Sequence, residues 1–331
     1  MADLPVSLKK EVAVLTAQGA YRRVRWRQKA APYAFISPFF ILFLVFSAFP
    51  LLFSLYLSFH SWNGIGPMKC VGLKNYTYLL TDDIFWKAVG NTIVLMFESA
   101  LPQHILALFF AFILNAGLVK FKNFFKASLF LPYLTASIAV SLLFRALFSY
   151  RMGLLNYALA PIFQFAPLKA LLDALHVTLP INWLGKAAYV KPSISILIIW
   201  QWTGWNTILY LAGLQAIDTE YYDAARVDGA NWRQIFFHIT LPLLRPMILF
   251  AVTLSIIGSM QLFTEPLILT DMNGGSSMAG YTVAMNLYQV AFDWTYFGSA
   301  AAISWVLFIM IFVFSLINLR FFRQGRQEEA V

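Results

Sequence analysis

The chain has 331 residues, of which 60% are hydrophobic and 12% charged, with a mean hydropathy of +0.69. Soluble domains carry about twice that share of charge, and a soluble enzyme of this composition would expose large apolar patches and aggregate. The 17 Gly and 14 Pro are scattered among 32 Phe, which excludes disorder and a collagen-like repeat. Cys70 is the single cysteine, so neither an internal disulfide nor a cysteine zinc site is available. An all-α polytopic membrane protein remains.

Residues 1–20 read as an amphipathic helix on the inner membrane surface, with Val6, Leu8, Val12 and Leu15 on one side, or equally as a frayed tail. No apolar run precedes residue 33, so a cleavable signal peptide is not expected. Six later stretches reach the roughly 20 apolar residues that a bilayer crossing needs. They run over 35–59, 91–117, 124–148, 193–217, 246–270 and 298–319. Pro38 lies near the start of the first, and Pro50 predicts a kink in it. Pro161, Pro167, Pro180 and Pro192 mark 160–192 as an extended outer loop, with a short helix near 168–176. Tyr33, Trp62, Tyr150, Tyr189 and Tyr296 fall near span ends, as interfacial aromatics do.

Basic residues set the orientation. Residues 1–31 hold seven Lys or Arg, and three more lie in each of 118–127, 218–245 and the segment after 319. The opposite connections together hold seven: Lys69, Lys74, Lys87, Arg151, Lys169, Lys186 and Lys191. Both termini are therefore expected in the cytoplasm of a multi-pass protein. The net charge of +9 reads as a topology signal and an attraction to anionic membrane lipid, with no nucleic-acid partner.

The connection 218–245 carries heavy local instruction. Asp218 or Thr219 can cap a short helix that ends at Gly229, where a left-handed residue is cheap. Asn231 can cap a second helix, with Gln234 completing a capping box, and Pro242 is expected to close it. Ala224 and Ala225 let another backbone approach. Ile235, Phe236 and Ile239 make a stripe at helical spacing, and Ile239 and Leu241 are expected to pack beneath the protein's own spans. Glu220, Asp223 and Asp228 must face water or a protein partner, which makes this a docking element.

Asp223-Ala224-Ala225, then Gly229, then Ile239-x-Leu241-Pro242 resembles the EAA loop of ABC importer membrane subunits. That family usually has Glu at the first position; here it is Asp223, with Glu220 one turn earlier. Tyr221-Tyr222-Asp223-Ala224-Ala225-Arg226-Val227-Asp228-Gly229-Ala230 is similar to the carbohydrate-uptake, maltose-type branch. Pro50 through Phe59, Val71-Gly72-Leu73-Lys74-Asn75-Tyr76, Asn91-Thr92, Leu129-Phe130-Leu131-Pro132, Leu269-Thr270 with Gly274-Gly275, and Phe297-Gly298-x-Ala300-Ala301-Ala302 agree with six-span sugar permeases. The resemblance covers about 35–155 and 193–320.

The resemblance implies a basic segment over 1–30, a six-span permease domain over 31–320 containing the EAA coupling loop at 218–245, and a tail over 321–331. It implies a bacterial inner-membrane permease subunit that pairs with a second permease subunit as a heterodimer. Two cytoplasmic ATPase subunits and an extracytoplasmic solute-binding protein complete the importer. Glu220, Asp223, Ala224, Ala225, Asp228, Gly229, Ile239, Leu241 and Pro242 would dock the ATPase. The sequence has no Gly-x-x-x-x-Gly-Lys-Ser/Thr phosphate loop. No cofactor is expected in this chain, ATP and Mg belonging to the partner ATPase subunits, and no catalytic or metal site is expected.

Polar groups inside spans face a cavity or a partner helix. Gln201, Trp202, Thr203, Trp205, Asn206 and Tyr210 lie in span four; Ser255, Ser259, Gln261, Thr264 and Glu265 lie in span five. Amides and hydroxyls pair with sugar hydroxyls, and aromatic faces stack on sugar rings. Gln201, Trp205, Asn206, Ser259, Gln261 and Glu265 are thus candidate substrate contacts, with interhelical hydrogen bonding as the competing role. Glu98 and Glu265 could instead serve an ion-coupled secondary transporter, the alternative function, although no internal inverted repeat is visible. Arg145, Arg151, Lys169, Lys186 and Lys191 would suit an acidic ligand or a docked binding protein. His104 reads as a local structural group, and Gly274-Gly275 as a turn.

Overall fold

The computed structural model describes residues 29–116, 119–164 and 179–327. The expected amphipathic helix over 1–20 and the short helix near 168–176 lie outside the described residues. The chain divides into two compact units, residues 1–57 and 58–331. In the first, helix α1 (Lys29–Ser58) is among the most apolar of the chain, and little of it is buried. Phe35 and Phe46 are largely exposed. Pro50 does not break α1. A π turn at Leu44–Ala48 widens the helix just before it, and the Phe49 N–H reaches back to the Leu44 carbonyl. Proline forbids one ordinary helical bond, and the wider turn absorbs the mismatch.

The second unit begins with a two-stranded hairpin, β1 (His60–Ser61) and β2 (Lys69–Cys70), and helix α2 (Lys74–Thr81). The Asn75 amide donates to the carbonyls of Ser58 (2.8 Å) and His60 (3.0 Å). Helix α3 (Asp83–Asn115) follows, capped by the Asp82 carboxylate on the Ile84 N–H at 3.0 Å. It starts well before the expected residue 91. Asn91 and Thr92 therefore lie within it and bind the far loop: Asn91 donates to Met278 and Tyr281 carbonyls, and Thr92 accepts from the Val283 N–H.

The third expected span is broken. Helix α4 (Lys122–Leu134) and helix α5 (Ser137–Leu147) meet at 95°. Thr135 and Ala136 between them are extended, and the Thr135 hydroxyl donates to the Pro132 carbonyl. Helix α6 is Leu154–Gln164. Helix α7 (Ala187–Gln215) takes in Pro192 near its start, so the expected outer loop is shorter at its end. Then come α8 (Thr219–Val227) and α9 (Trp232–Met260). Pro242, expected to end a helix, lies within α9. A π turn at Phe236–Thr240 precedes it, with the Leu241 N–H bonded to the Phe236 carbonyl, as before Pro50.

Nor is the fifth expected span, 246–270, continuous: α9 ends at Met260 and α10 (Thr264–Thr270) starts afresh. Pro266 lies in the first turn of α10. It cannot donate to Leu262 and its ring would collide with that carbonyl. The Leu262 carbonyl instead accepts the Thr282 hydroxyl at 2.7 Å, and both residues are buried, so the freed acceptor is satisfied within the protein. Helices α11 (Val283–Tyr288) and α12 (Phe297–Gln327) complete the described chain. Gly274 and Gly275 have φ of +72° and +71° and form the expected turn.

Among the described residues, four helices, α1, α3, α9 and α12, are long and apolar enough to cross a membrane, or five elements if the bent α4–α5 pair counts as one. Helix α7 has the length but carries buried Ser193, Gln201, Thr203, Asn206 and Thr207. It lies against α3, α4, α9 and α10, and those polar groups are buried among them. Ala107 and Ala111 of α3 pack with Tyr210, Leu211 and Leu214 of α7 and Leu244 and Ala251 of α9. Small residues let such helices approach closely where the hydrophobic effect offers little. His104 joins this seam, its Nδ1 2.7 Å from the Tyr210 hydroxyl.

Candidate functional site: a polar cavity and a helix–glycine–helix turn

The break between α9 and α10 opens a cavity of about 270 Å³. Its walls come from α7 (Ile198, Trp202, Trp205, Asn206), the end of α9 (Leu254, Ser255, Gly258, Ser259), the linker (Gln261, Leu262, Phe263), α10 (Thr264, Glu265) and Gln103 of α3. Five of the six expected residues, Trp205, Asn206, Ser259, Gln261 and Glu265, are brought together here. Gln201 is not. It is 2% exposed, and its Nε2 donates to the Ser137 hydroxyl at 3.1 Å, so it ties α7 to α5 instead.

Glycine and aromatic packing position the α7 wall. A Cβ at Gly204 would run into the Leu129 carbonyl, so only glycine lets α4 lie this close. That approach brings Tyr133 onto Trp205, stacked at 4.6 Å and 28°, with Phe130 alongside at 6.1 Å. Tyr133 also meets Trp202 edge-on at 5.2 Å. Asn206 Nδ2 is buried without a hydrogen-bond partner, a spare donor in the wall that leaving unpaired is costly. Gln103 escaped the sequence reading because its wall position comes from α3 pairing with α7; its only linear signal was an amide beside Pro102 in an apolar run.

Above α10 the chain is anchored from several sides. Arg145 Nη1 donates to the Ile268 carbonyl at 2.9 Å, and its guanidinium pairs with both Asp271 oxygens at 3.1 and 3.2 Å. Arg145, considered for an acidic ligand, is thus engaged within the protein. Glu98 lines a separate cavity with Lys191, so the two carboxylates weighed for ion coupling do not share a site.

The 218–245 connection forms the expected helix–glycine–helix. The Asp218 carboxylate accepts the Glu220 N–H at 3.1 Å. At the far end of α8, Gly229 N–H bonds Arg226 and Ala230 N–H bonds Ala225, a left-handed C-terminal cap with Gly229 at φ +77°. Open space surrounds the position of a Gly229 Cβ, so glycine is needed there for backbone conformation, not for room. Asn231 Oδ1 accepts from Arg233 and Gln234 N–H groups, and Gln234 Oε1 accepts from the Asn231 N–H at 2.8 Å, a complete capping box.

Burial sorts this set. Glu220, Asp223, Ala224, Asp228 and Gly229 are exposed, Ala225 is buried, and Ile239, Leu241 and Pro242 are half-buried. The Asp223–Arg226 pair at 3.0 Å is exposed and contributes little. Tyr221, Val227 and Trp232 are exposed apolar groups on the same turn, Val227 at 87%. Sequence periodicity missed them because they belong to no core-facing stripe.

Residues 27–324 match the family described as binding-protein-dependent transport system inner membrane component. The chain is 37% identical over 303 residues to the arabinooligosaccharides transport system permease protein AraP of Bacillus subtilis, covering 92% of each. It is 34% identical over 286 residues to the lactose transport system permease protein LacF of Rhizobium radiobacter, covering 86% of this chain and 91% of LacF. In fold it is similar to a chain of a bacterial ABC transporter involved in the import of the acidic polysaccharide alginate, with a TM-score of 0.73 at 21% identity, covering 92% of this chain and 99% of that one. The chain belongs to the family of binding-protein-dependent transport system inner membrane components.

Proposed function

We propose that the chain is the translocation subunit of an ABC importer for a carbohydrate, with substrate passing through the α7–α9–α10 cavity. The observation that carries the reading is that cavity: tryptophans, amides and hydroxyls converge at a helix break, the mixture a polyhydroxylated ring needs. The sugars named in the arabinooligosaccharide and lactose relatives agree with it. Trp205, Asn206, Ser259, Gln261 and Glu265 are the contacts, and Gln201 positions α7 against α5. Helix α7 is the sixth span, completing α1, α3, the α4–α5 pair, α9 and α12, with both termini in the cytoplasm.

The helix–glycine–helix turn docks a cytoplasmic ATPase subunit, two of which bind and hydrolyse ATP with Mg. The exposed Glu220, Asp223, Ala224, Asp228 and Gly229 make the contact. Helix α9 transmits the movement, because it runs unbroken from the capping box to Ser259. Its 29 residues span about 40 Å, so a tilt imposed at one end moves the cavity wall at the other. A second permease subunit and an extracytoplasmic binding protein complete the assembly in the bacterial inner membrane.

The test is ATP-driven uptake of a labelled neutral oligosaccharide by the assembled importer in proteoliposomes. Gly229→Val should lower uptake at least about tenfold while ATP hydrolysis persists, since a β-branched residue resists positive φ. Trp205→Ala should weaken apparent affinity about tenfold, the scale of a lost aromatic platform. Unchanged uptake in the first removes the docking assignment. An unchanged affinity in the second removes the cavity from the substrate path.

A further inference from the structure

We propose that the cavity selects uncharged, hydroxyl-rich ligands against sugar acids, and that Glu265 sets this charge selection. The proposal rests on the cavity being the substrate path. Among the described residues that line it, Glu265 is the one ionisable side chain, and no Lys, Arg or His accompanies it. Glu265 is 7% exposed, held in the first turn of α10. The other polar groups are neutral amides and hydroxyls, Gln103, Asn206, Gln261 and Ser259 among them.

A buried carboxylate accepts charge-assisted hydrogen bonds from sugar hydroxyls, stronger than those between neutral groups. A ligand carboxylate in the same space finds no cation to pair with. It meets a like charge where the effective dielectric is well below that of water, and repulsion there is far stronger than in solution. The neighbouring cations do not relieve it. Arg145 is engaged by Asp271 and the Ile268 carbonyl, and Lys191 lines the other cavity with Glu98. The spare Asn206 Nδ2 donor suits a hydroxyl or ring oxygen.

The experiment titrates the assembled importer in nanodiscs with a neutral oligosaccharide and with the same oligosaccharide oxidised at one primary alcohol to the uronate. Tryptophan fluorescence reports binding, because Trp202 and Trp205 line the cavity, and no binding protein is present to impose its own preference. The neutral sugar should bind at least about tenfold tighter than the uronate. Glu265→Gln should bring the two within about threefold, and Glu265→Asp should keep them apart. If Glu265→Gln fails to assemble, Gln261→Glu decides, since a second carboxylate should widen the gap. Equal binding by the native importer, or a gap that neither variant changes, overturns the proposal. If Trp205→Ala also leaves neutral-sugar binding intact, the cavity assignment itself falls, an outcome distinct from loss of charge selection alone.

Discussion

In the turn at 218–235, each side-chain cap joins residues two or three apart, and the bonds closing α8 span three to five. Within the helix bundle that holds the cavity the partners are remote: Leu262 with Thr282, Gln201 with Ser137, Arg145 with Asp271, Asn91 with Met278. The turn is thus a local instruction that can form before the bundle packs, while the cavity exists only once distant helices have met. This suits their proposed tasks. A docking element must keep its shape while its surroundings move, and a substrate path must change when helices shift.

The difference can be broken deliberately. Gly204→Val should have the largest effect, because its side chain collides with the Leu129 carbonyl. A loss of about 3 kcal/mol or more should appear as failure to recover a monodisperse protein in detergent. The turn's own helices should survive in a peptide no better or worse than before. Thr282→Val leaves the Leu262 carbonyl without its donor and should cost about 1–3 kcal/mol. A lower thermal midpoint with faster amide exchange around 261–270 checks it, and an unchanged midpoint would show that the break at Pro266 needs no remote support.

Smaller effects are expected in the turn. Asn231→Ala removes the capping box at a cost of about 1 kcal/mol, and faster exchange should stay confined to 231–236 with the cavity untouched. Spread of the change to Ser259 would show that α9 conveys even minor fraying. Arg226→Ala breaks only the exposed pair with Asp223 and should shift stability by about 0.5 kcal/mol or less. A larger shift would mean that the charge pair organises α8.

Much of this protein follows from the linear chain by itself. Long apolar runs dictate membrane helices because backbone groups must be satisfied within each segment in lipid. Asp218, Gly229, Asn231 and Gln234 specify the turn through bonds of two to five residues, which is why both its caps were legible. Trp205, Asn206, Ser259, Gln261 and Glu265 were legible as candidates because polar groups amid apolar runs need a reason. Tertiary structure decided the rest. Proline marks stress on a helix but not its resolution: at Pro50 and Pro242 a π turn carries the helix through, while ahead of Pro266 the helix stops at Met260 and restarts at Thr264, and the freed Leu262 carbonyl goes to Thr282, 20 residues later in the chain. Likewise Gln103 reaches the cavity and Gln201 turns away from it. Which face of α7 looks inward is set by its packing on α3 and, at Gly204, on α4, and no residue's neighbours in sequence contain that information.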